Sequence, residues 1–504
     1  MAVVEGGALS AATFQLGPLV SVRPEPFGAL LYHFGTRQLV FIKETRLAEV
    51  VCHLEAATGF EEACAAAGVS APDMARYRRA MDRLCHVGML EARVPVTGDW
   101  VRTVSGPVPG TATTTGAPVV LGRARRSLTQ RLERGTSSPI CLTWELTYAC
   151  NLACSHCLSS SGRRDQAELS TAEAKSVIDE LRKMHVFYVH IGGGEPTVRS
   201  DFWELLEYAT TNQVGVKFST NGSRINAAAA ASVAANDYVD VQVSLDGATA
   251  EVNDAVRGKG SFAMATRAME NLATAGARHF KMSVVMTRYN VEQLDQLKQL
   301  ADRYGAQLRL TRLRPSGRGA DVWHKLHMTA DQQEKLHRWL VARGQEVLTG
   351  DSFFHLSALG EPLPGLNLCG AGRVVCLIDP VGDVYACPFA IHDAFLAGNV
   401  RRAGFEEIWV ASQLFADFRR PKSGGGCTRC SQFDACGGGC MAAKFFTGLP
   451  VDGPDPECVL GHGAYALAQS APRDIPRPSC DHSPLGANGA RWVDVAMPGS
   501  RRVQ

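Results

Sequence analysis

The chain has 504 residues, 45% of them hydrophobic and 20% charged, and a net charge of +2. This is the balance of a globular protein of about three domains, with no bulk charge to draw it to nucleic acid or an acidic membrane. No apolar run reaches membrane-spanning length and Met1–Ser21 lacks the pattern of a secretory signal, so a cytoplasmic protein with no nucleic-acid or membrane partner is expected. There the 16 cysteines point to metal or iron–sulfur ligation, because the compartment keeps thiols reduced.

Residues 14–95 read as a small α+β unit. Leu16–Arg23, Ala29–Phe34 and Gln38–Ile42 are strand-like, and Glu44–Ala56, Phe60–Ala67 and Pro72–Val87 are helical. Gly68 and Gly88 are placed to stop the second and third helices, and Pro72 to open the third. Met74, Tyr77, Met81, Leu84 and Cys85 give that helix an apolar stripe. Three strands followed by three helices make a winged-helix-like order, but there is no dense Lys/Arg stripe of a DNA-binding face. A plain packing module is the alternative. The run Val22-Arg23-Pro24-Glu25-Pro26-Phe27-Gly28-Ala29-Leu30-Leu31-Tyr32-His33-Phe34 closely resembles the mycofactocin peptide chaperone family, which is similar to the peptide chaperone of pyrroloquinoline quinone biosynthesis. The resemblance implies a recognition element that holds the leader of a ribosomally made precursor peptide as an added strand, where backbone pairing supplies affinity.

Residues 96–138 read as a flexible linker, rich in Pro, Gly and Thr between Ser105 and Pro118. The basic patch at Arg123, Arg125 and Arg126 reads as a solvated face.

From 139 to 347, apolar runs of strand length alternate with helical stretches. The strands expected are Ile140–Leu146, Val186–Ile191, Val214–Ser219, Val239–Leu245, Lys281–Met286 and Gln307–Arg312, with helices such as Thr171–Met184, capped by Ser170 or Thr171, and Asp201–Asn212 between them. The alternation predicts an α/β fold, a parallel sheet with helices outside. Six units make a partial (β/α)6 barrel, whose functional residues belong at the C-terminal strand ends. The first strand runs into Cys150-Asn151-Leu152-Ala153-Cys154-Ser155-His156-Cys157. Three thiolates so spaced can hold three irons of a [4Fe-4S] cluster and leave the fourth open, and a zinc half-site would use the same residues. The next strands end in Gly192-Gly193-Gly194-Glu195-Pro196, Ser219-Thr220-Asn221-Gly222 and Ser244-Leu245-Asp246-Gly247, the turn residues of a ligand-facing rim. Arg312-Leu313-Arg314-Pro315-Ser316-Gly317-Arg318-Gly319 closes the sixth strand, as a solvated loop or as a substrate or cofactor contact.

In this order the motifs resemble the radical S-adenosylmethionine (SAM) enzymes. The resemblance implies that Cys150, Cys154 and Cys157 hold a cluster whose open iron takes SAM, and that reduction releases a 5′-deoxyadenosyl radical. It further implies that Gly193, Gly194, Glu195 and Pro196 meet the methionine amino group and that Ser219 and Ser244 face ribose or carboxylate. Arg257 would take the carboxylate, which a planar guanidinium fits. His156 stands where the family usually has an aromatic ring near the adenine, and an imidazole can still stack there.

Residues 348–460 carry eight cysteines: Cys369, Cys376, Cys387, Cys427, Cys430, Cys436, Cys440 and Cys458. The count suits two four-iron clusters or two four-cysteine zinc sites. The spacing resembles the SPASM extension of radical SAM enzymes that act on peptides. That implies one auxiliary [4Fe-4S] cluster on Cys369, Cys376, Cys387 and Cys440, and another on Cys427, Cys430, Cys436 and Cys458, three clusters in all. Cys52, Cys64 and Cys85 read as core residues, and 461–504 as a disordered tail.

Two further runs narrow the resemblance, Ile140-Cys141-Leu142-Thr143-Trp144-Glu145-Leu146-Thr147-Tyr148-Ala149-Cys150 and Cys387-Pro388-Phe389-Ala390-Ile391-His392, together with Gly437 to Phe446. They look like the mycofactocin radical SAM maturase family over about 139–460. This implies a precursor peptide ending in Val-Tyr, oxidative decarboxylation of its tyrosine, a carbon–carbon link to the valine, and an external electron donor. A sulfatase-maturing enzyme, a thioether-forming peptide maturase and a non-enzymatic cluster protein are the alternatives.

Overall fold

The computed structural model describes residues 13–54, 59–93, 100–101, 119–121, 132, 134–349, 353–361, 363, 369–420, 427 and 429–470. Two units divide the chain, Met1–Leu132 with Thr136–Ser138, and Glu133–Gly135 with Pro139–Gln504.

The first unit opens with β1 (Thr13–Leu16), β2 (Val20–Glu25), β3 (Gly28–His33) and β4 (Gln38–Ile42). The single first strand expected is therefore two, broken at Gly17, where the Val20 amide turns back to the Gly17 carbonyl at 2.9 Å. The helices Thr45–His53, Phe60–Ala66 and Ala71–His86 follow, then β5 (Leu90–Arg93), β6 (Trp100–Val101) and β7 (Val119–Leu121). Gly68 and Gly88 adopt positive φ of 61° and 75° just past their helices, the left-handed turn that glycine makes without strain. Tyr77, Met81, Leu84 and Cys85 of the predicted stripe bury against Phe14, Leu31, Val40 and Val51.

β2, β3, β4 and β7 form one sheet and β1, β5 and β6 another. Two strands thus lie in what the sequence presents as linker, β6 antiparallel to β5 and β7 parallel to β4. Short strands carry too little local signal, and only their distant partners make them strands. The stretch 105–118 and Arg123, Arg125 and Arg126 lie outside the described residues. Pro24 sits in β2, an outermost strand, where a residue without an N–H is tolerated. Beside it Arg23 and Glu25 form a buried pair, Nε to Oε1 at 2.8 Å, and Glu25 Oε2 accepts from the Ser137 amide at 2.8 Å. The pair therefore ties residues 136–138 back onto the sheet.

The second unit is a run of parallel strands, β8 (Cys141–Thr147), β9 (Tyr188–Gly193), β10 (Gly215–Thr220), β11 (Val239–Ser244), β12 (Lys281–Met286) and β13 (Gln307–Arg312). They pair in chain order, all parallel. Helices lie between them, among them Thr171–Lys183, which Ser170 and Glu173 cap reciprocally. Leu142, Trp144, Val189, Ile191, Val216, Phe218, Val241 and Val243 enter the large core. The alternate residues, Thr143, Glu145, His190, Lys217, Ser219 and Gln242, face the other side of the sheet.

β13 is one edge of the sheet, but β8 is not the other. β14 (Val375–Ile378) pairs parallel to β8, and β15 (Asp383–Tyr385) and β16 (Leu396–Asn399) extend the sheet antiparallel to nine strands. The cysteine-rich segment is therefore continuous with the central sheet rather than a separate appendage. The first part of the expected disordered tail is ordered, since His462–Gln469 is a helix; 471–504 lie outside the described residues.

Removing one member of the Arg23–Glu25 pair strands a buried charge. Glu25→Ala should destabilise the first unit by about 3 kcal/mol, whereas Arg23→Met with Glu25→Leu should recover most of that loss. Chemical denaturation of the two variants checks this.

Candidate functional site

Three structural elements fasten the cysteine loop that follows β8. The Cys150 amide bonds Gly162 at 3.1 Å, and the Ser155 amide bonds the Val256 carbonyl at 2.9 Å. Arg318 donates through Nε to the Cys154 carbonyl at 3.0 Å and through Nη1 to the Ser161 carbonyl at 2.9 Å. Burial pushes the Cys150 thiol up to about 12, and the thiols of Cys154 and Cys157 add to the effect. Burial also raises Cys154, against the pull of Arg257. A bound cation reverses such shifts, because it stabilises the thiolate form.

The rim motif Gly193-Gly194-Glu195 is laced to the same loop. The Gly194 amide bonds the Thr147 carbonyl and the Glu195 amide the Ala149 carbonyl, each at 2.8 Å. A Cβ at Gly194 would lie 2.0 Å from the Ala149 carbonyl oxygen, and one at Gly193, which has φ +100°, 2.7 Å from that of Thr147. Glycine is needed here for close backbone approach. Glu195 is buried, and its carboxylate accepts from the Thr197 amide, Thr220 Oγ1 at 2.8 Å and the Asn221 amide at 2.7 Å. Its side chain thus builds the rim, joining the ends of β9 and β10. Pro196 begins the short helical turn beside it.

His156 and Arg257, expected near the cofactor, converge on a residue the sequence reading did not single out. Asp246 Oδ2 lies 2.9 Å from His156 Nε2 and 2.6 Å from Arg257 Nε, all three residues buried. Asp246 Oδ1 accepts from the Val285 amide at 2.7 Å. Burial works against its ionisation, but Arg257 and then His156 outweigh it and hold the carboxyl well below the usual range. The Nδ1 of His156 is buried without a hydrogen-bond partner. Asp246 was visible only as part of a strand-end motif. Ser219 Oγ pairs with His190 Nε2 at 2.8 Å. Gln242 Nε2 also lies 3.1 Å from that nitrogen. Ser244 ends β11, half-buried.

The arginine run after β13 is not a solvated loop. Arg312 is buried and clamps Asp455 through Nη1 and Nη2 at 2.9 and 2.5 Å, with Nε on Glu457. Asp455 Oδ2 accepts from the Cys440 amide at 2.7 Å, and the Asp455 carbonyl accepts from the Cys458 amide at 2.9 Å. The guanidinium of Arg314 stacks 3.5 Å over Phe389, two residues past Cys387. One segment therefore touches the cysteine loop and the surroundings of three C-terminal cysteines.

Cys427 and Cys436 each feel the charges of Cys430 and Cys458, so this quartet is gathered in one place. Cys369, Cys387 and Cys440 fall in loops or at a helix start, but Cys376 lies inside β14, wholly buried. The charged groups bearing on its thiol are Cys141 and Arg419. Cys52, Cys64 and Cys85 sit in the core of the first unit or against it. Among the described residues no three His, Cys, Asp or Glu side chains converge on one ion position. A four-iron cluster takes one thiolate at each iron. The free thiols of the loop and of the quartet fit such clusters.

Comparison with known proteins agrees. Residues 13–91 match the peptide chaperone MftB family, 144–301 the radical SAM superfamily and 369–431 an iron-sulfur cluster-binding domain. SuiB of Streptococcus suis bound to S-adenosylmethionine shares the fold, with a TM-score of 0.62 at 16% identity over 88% of this chain and 99% of that one. Fold and thiols together define a radical SAM enzyme with an iron–sulfur extension and a fused peptide-chaperone domain, whose cofactors are SAM and iron–sulfur clusters. The mycofactocin maturase MftC of Mycolicibacterium smegmatis is 70% identical over 373 residues, 73% of this chain and 94% of the relative. That of Mycobacterium tuberculosis H37Rv is 68% identical over 359 residues, 71% and 91% of the two chains. An AdoMet-dependent heme synthase of Oleidesulfovibrio alaskensis is 30% identical over 342 residues, 63% and 87%. The chain belongs to the mycofactocin maturase family, with a domain of the MftB chaperone family in the same polypeptide.

The backbone contacts set two expectations. Gly194→Ala should cost about 3 kcal/mol by overpacking, while Gly192→Ala, whose Cβ meets nothing within 4 Å, should leave stability unchanged; paired thermal melts decide. Arg312→Gln should destabilise the second unit by about 3 kcal/mol, since it leaves two buried carboxylates without their cation, and denaturant titration measures it.

Proposed function

We propose that this maturase acts on a ribosomally made precursor peptide ending in Val-Tyr. The tyrosine undergoes oxidative decarboxylation, and its remnant is then joined to the valine by a carbon–carbon bond. In the first step the C-terminal residue, as its carboxylate, gives up a hydrogen atom, carbon dioxide and one electron. The observation that carries this reading is the union in one chain of a radical SAM core, the cysteine quartet and a peptide-chaperone domain, in a sequence 70% identical to a mycofactocin maturase. SuiB, which shares the fold, has been crystallised with its precursor peptide SuiA.

When bound, SAM and three [4Fe-4S] clusters supply the hydrogen-abstracting radical and a store for the released electron. Cys150, Cys154 and Cys157 hold the SAM-binding cluster; Cys369, Cys376, Cys387 and Cys440 the first auxiliary cluster; and Cys427, Cys430, Cys436 and Cys458 the second. Gly193, Gly194 and Pro196 present backbone to the methionine end of SAM, and Glu195 supports them from beneath. Ser219 and Ser244 face the ribose side, and His156 lies against the adenine. Arg257, with Nε engaged by Asp246, offers its remaining nitrogens to the SAM carboxylate. The leader adds as a strand to an outer edge of the chaperone sheet, and the rest of the linker lets the peptide's far end reach the core at high effective concentration. An external donor supplies electrons, in a cytoplasm that keeps the thiols reduced.

Anaerobic incubation of iron-loaded protein with SAM, reductant and a precursor ending in Val-Tyr should give 5′-deoxyadenosine and a peptide lighter by carbon dioxide and two hydrogens. Loss of two hydrogens alone would instead identify a thioether or other cross-link. Cys427→Ala and Cys436→Ala should bind about four fewer irons, keep SAM cleavage and lose most decarboxylation. Undiminished decarboxylation in a variant shown to lack those irons would remove the auxiliary cluster from the reaction.

A further inference from the structure

We propose that Glu145 is a substrate-positioning residue, whose carboxyl group hydrogen-bonds a peptide amide of the precursor inside the second unit. The choice of a peptide as ligand rests on the functional reading above. Glu145 lies on β8, five residues before Cys150. Leu142, Trp144 and Leu146 of the same strand enter the helix-packed core, so alternation turns Glu145 to the opposite face, with Thr143. There it is only 3% exposed, yet its Oε2 is buried with no hydrogen-bond partner. The other carboxylates near the rim have charged or hydrogen-bonding partners: Glu195 accepts from Thr197, Thr220 and Asn221, and Asp246 is ion-paired with His156 and Arg257 and accepts from Val285.

The register places Glu145 opposite Gly192 of β9. Ile191 is in the core, so Gly192 shares the face of Glu145. A Cβ built at Gly192 meets no atom within 4 Å, although one at Gly193 or Gly194 would collide with backbone. The register therefore sets Glu145 across from the one glycine of this rim motif whose Cβ side is open. On the same face Gln242 Oε1 is a second buried oxygen without a partner. Burial, and then the charge of Asp379, push the Glu145 carboxyl up to about 8, so at neutral pH it carries its proton. A neutral carboxyl can donate to a peptide carbonyl or accept from a peptide N–H. A buried polar group left unpaired lowers stability, and a leucine of similar volume would not. Keeping one across from an open glycine is the pattern of a group reserved for a ligand.

Wild type, Glu145→Leu and Glu145→Gln are compared as iron-loaded enzymes with SAM, reductant and a precursor ending in Val-Tyr. Product formed per 5′-deoxyadenosine, peptide KM, SAM affinity and melting temperature are measured together. Glu145→Leu should melt no lower than wild type, bind SAM within about twofold, and lose about tenfold in product per 5′-deoxyadenosine, the worth of a hydrogen bond. Glu145→Gln, which keeps a donor and an acceptor, should stay within about threefold of wild type. A lower melting temperature in Glu145→Leu would make Glu145 part of the framework and overturn the assignment. So would wild-type coupling in Glu145→Leu, a tenfold weaker SAM affinity, or an equal loss in Glu145→Gln, the last indicating proton transfer instead. If wild type itself yields no decarboxylated peptide, the functional reading falls and the ligand of Glu145 with it.

Discussion

A single buried negative charge, on Asp246, organises the mouth of the second unit. It has left water, so it must be compensated inside the protein, and three separate segments do so. His156 comes from the cysteine loop, Arg257 from the end of a helix and the Val285 amide from β12. A buried carboxylate of this kind adds little net stability, since its desolvation offsets most of what the partners return. What it contributes is geometry. With Asp246 fixed at the end of β11, the cysteine loop cannot drift from the strand ends without stranding a charge.

Arg312 applies the same constraint with the sign reversed. Its guanidinium lies buried between Asp455 and Glu457, and Asp455 in turn receives the amides of Cys440 and Cys458. The last parallel strand is in this way wired to the backbone of the cysteine-rich segment, while β14 joins that segment to β8 at the other side of the sheet. Arg318, six residues on, holds the Cys154 carbonyl. Core and extension are thus one folded body in their hydrogen bonding.

The motifs most legible in the sequence were those whose cause is local. The six parallel strands follow from alternation, and β12 and β13 lie where the apolar runs put them. Gly68 and Gly88 turn left-handed where helices end, and Ser170 caps where a cap residue stands. The contacts that were not legible are those made by residues far apart in the chain. β14 pairs with a strand more than 200 residues earlier, and β7 with β4 across 105–118. Arg312 reads as part of a solvated loop or of a ligand contact until Asp455 and Glu457, over 140 residues away, are seen to surround it. Asp246 reads as a turn residue, and Glu195 reads as a ligand group although its carboxylate is spent inside the rim.

The sequence by itself determined the chemistry available. The C-x3-C-x2-C loop, the later cysteines and the glycine-rich strand ends follow from spacing, because thiolate ligation and backbone turns are properties of residue type and separation. The tertiary structure alone decided which charges pair and which polar groups do not. Burial removes the water that would otherwise satisfy each of them, so only the fold shows that Asp246 and Arg312 find partners and that Glu145 does not.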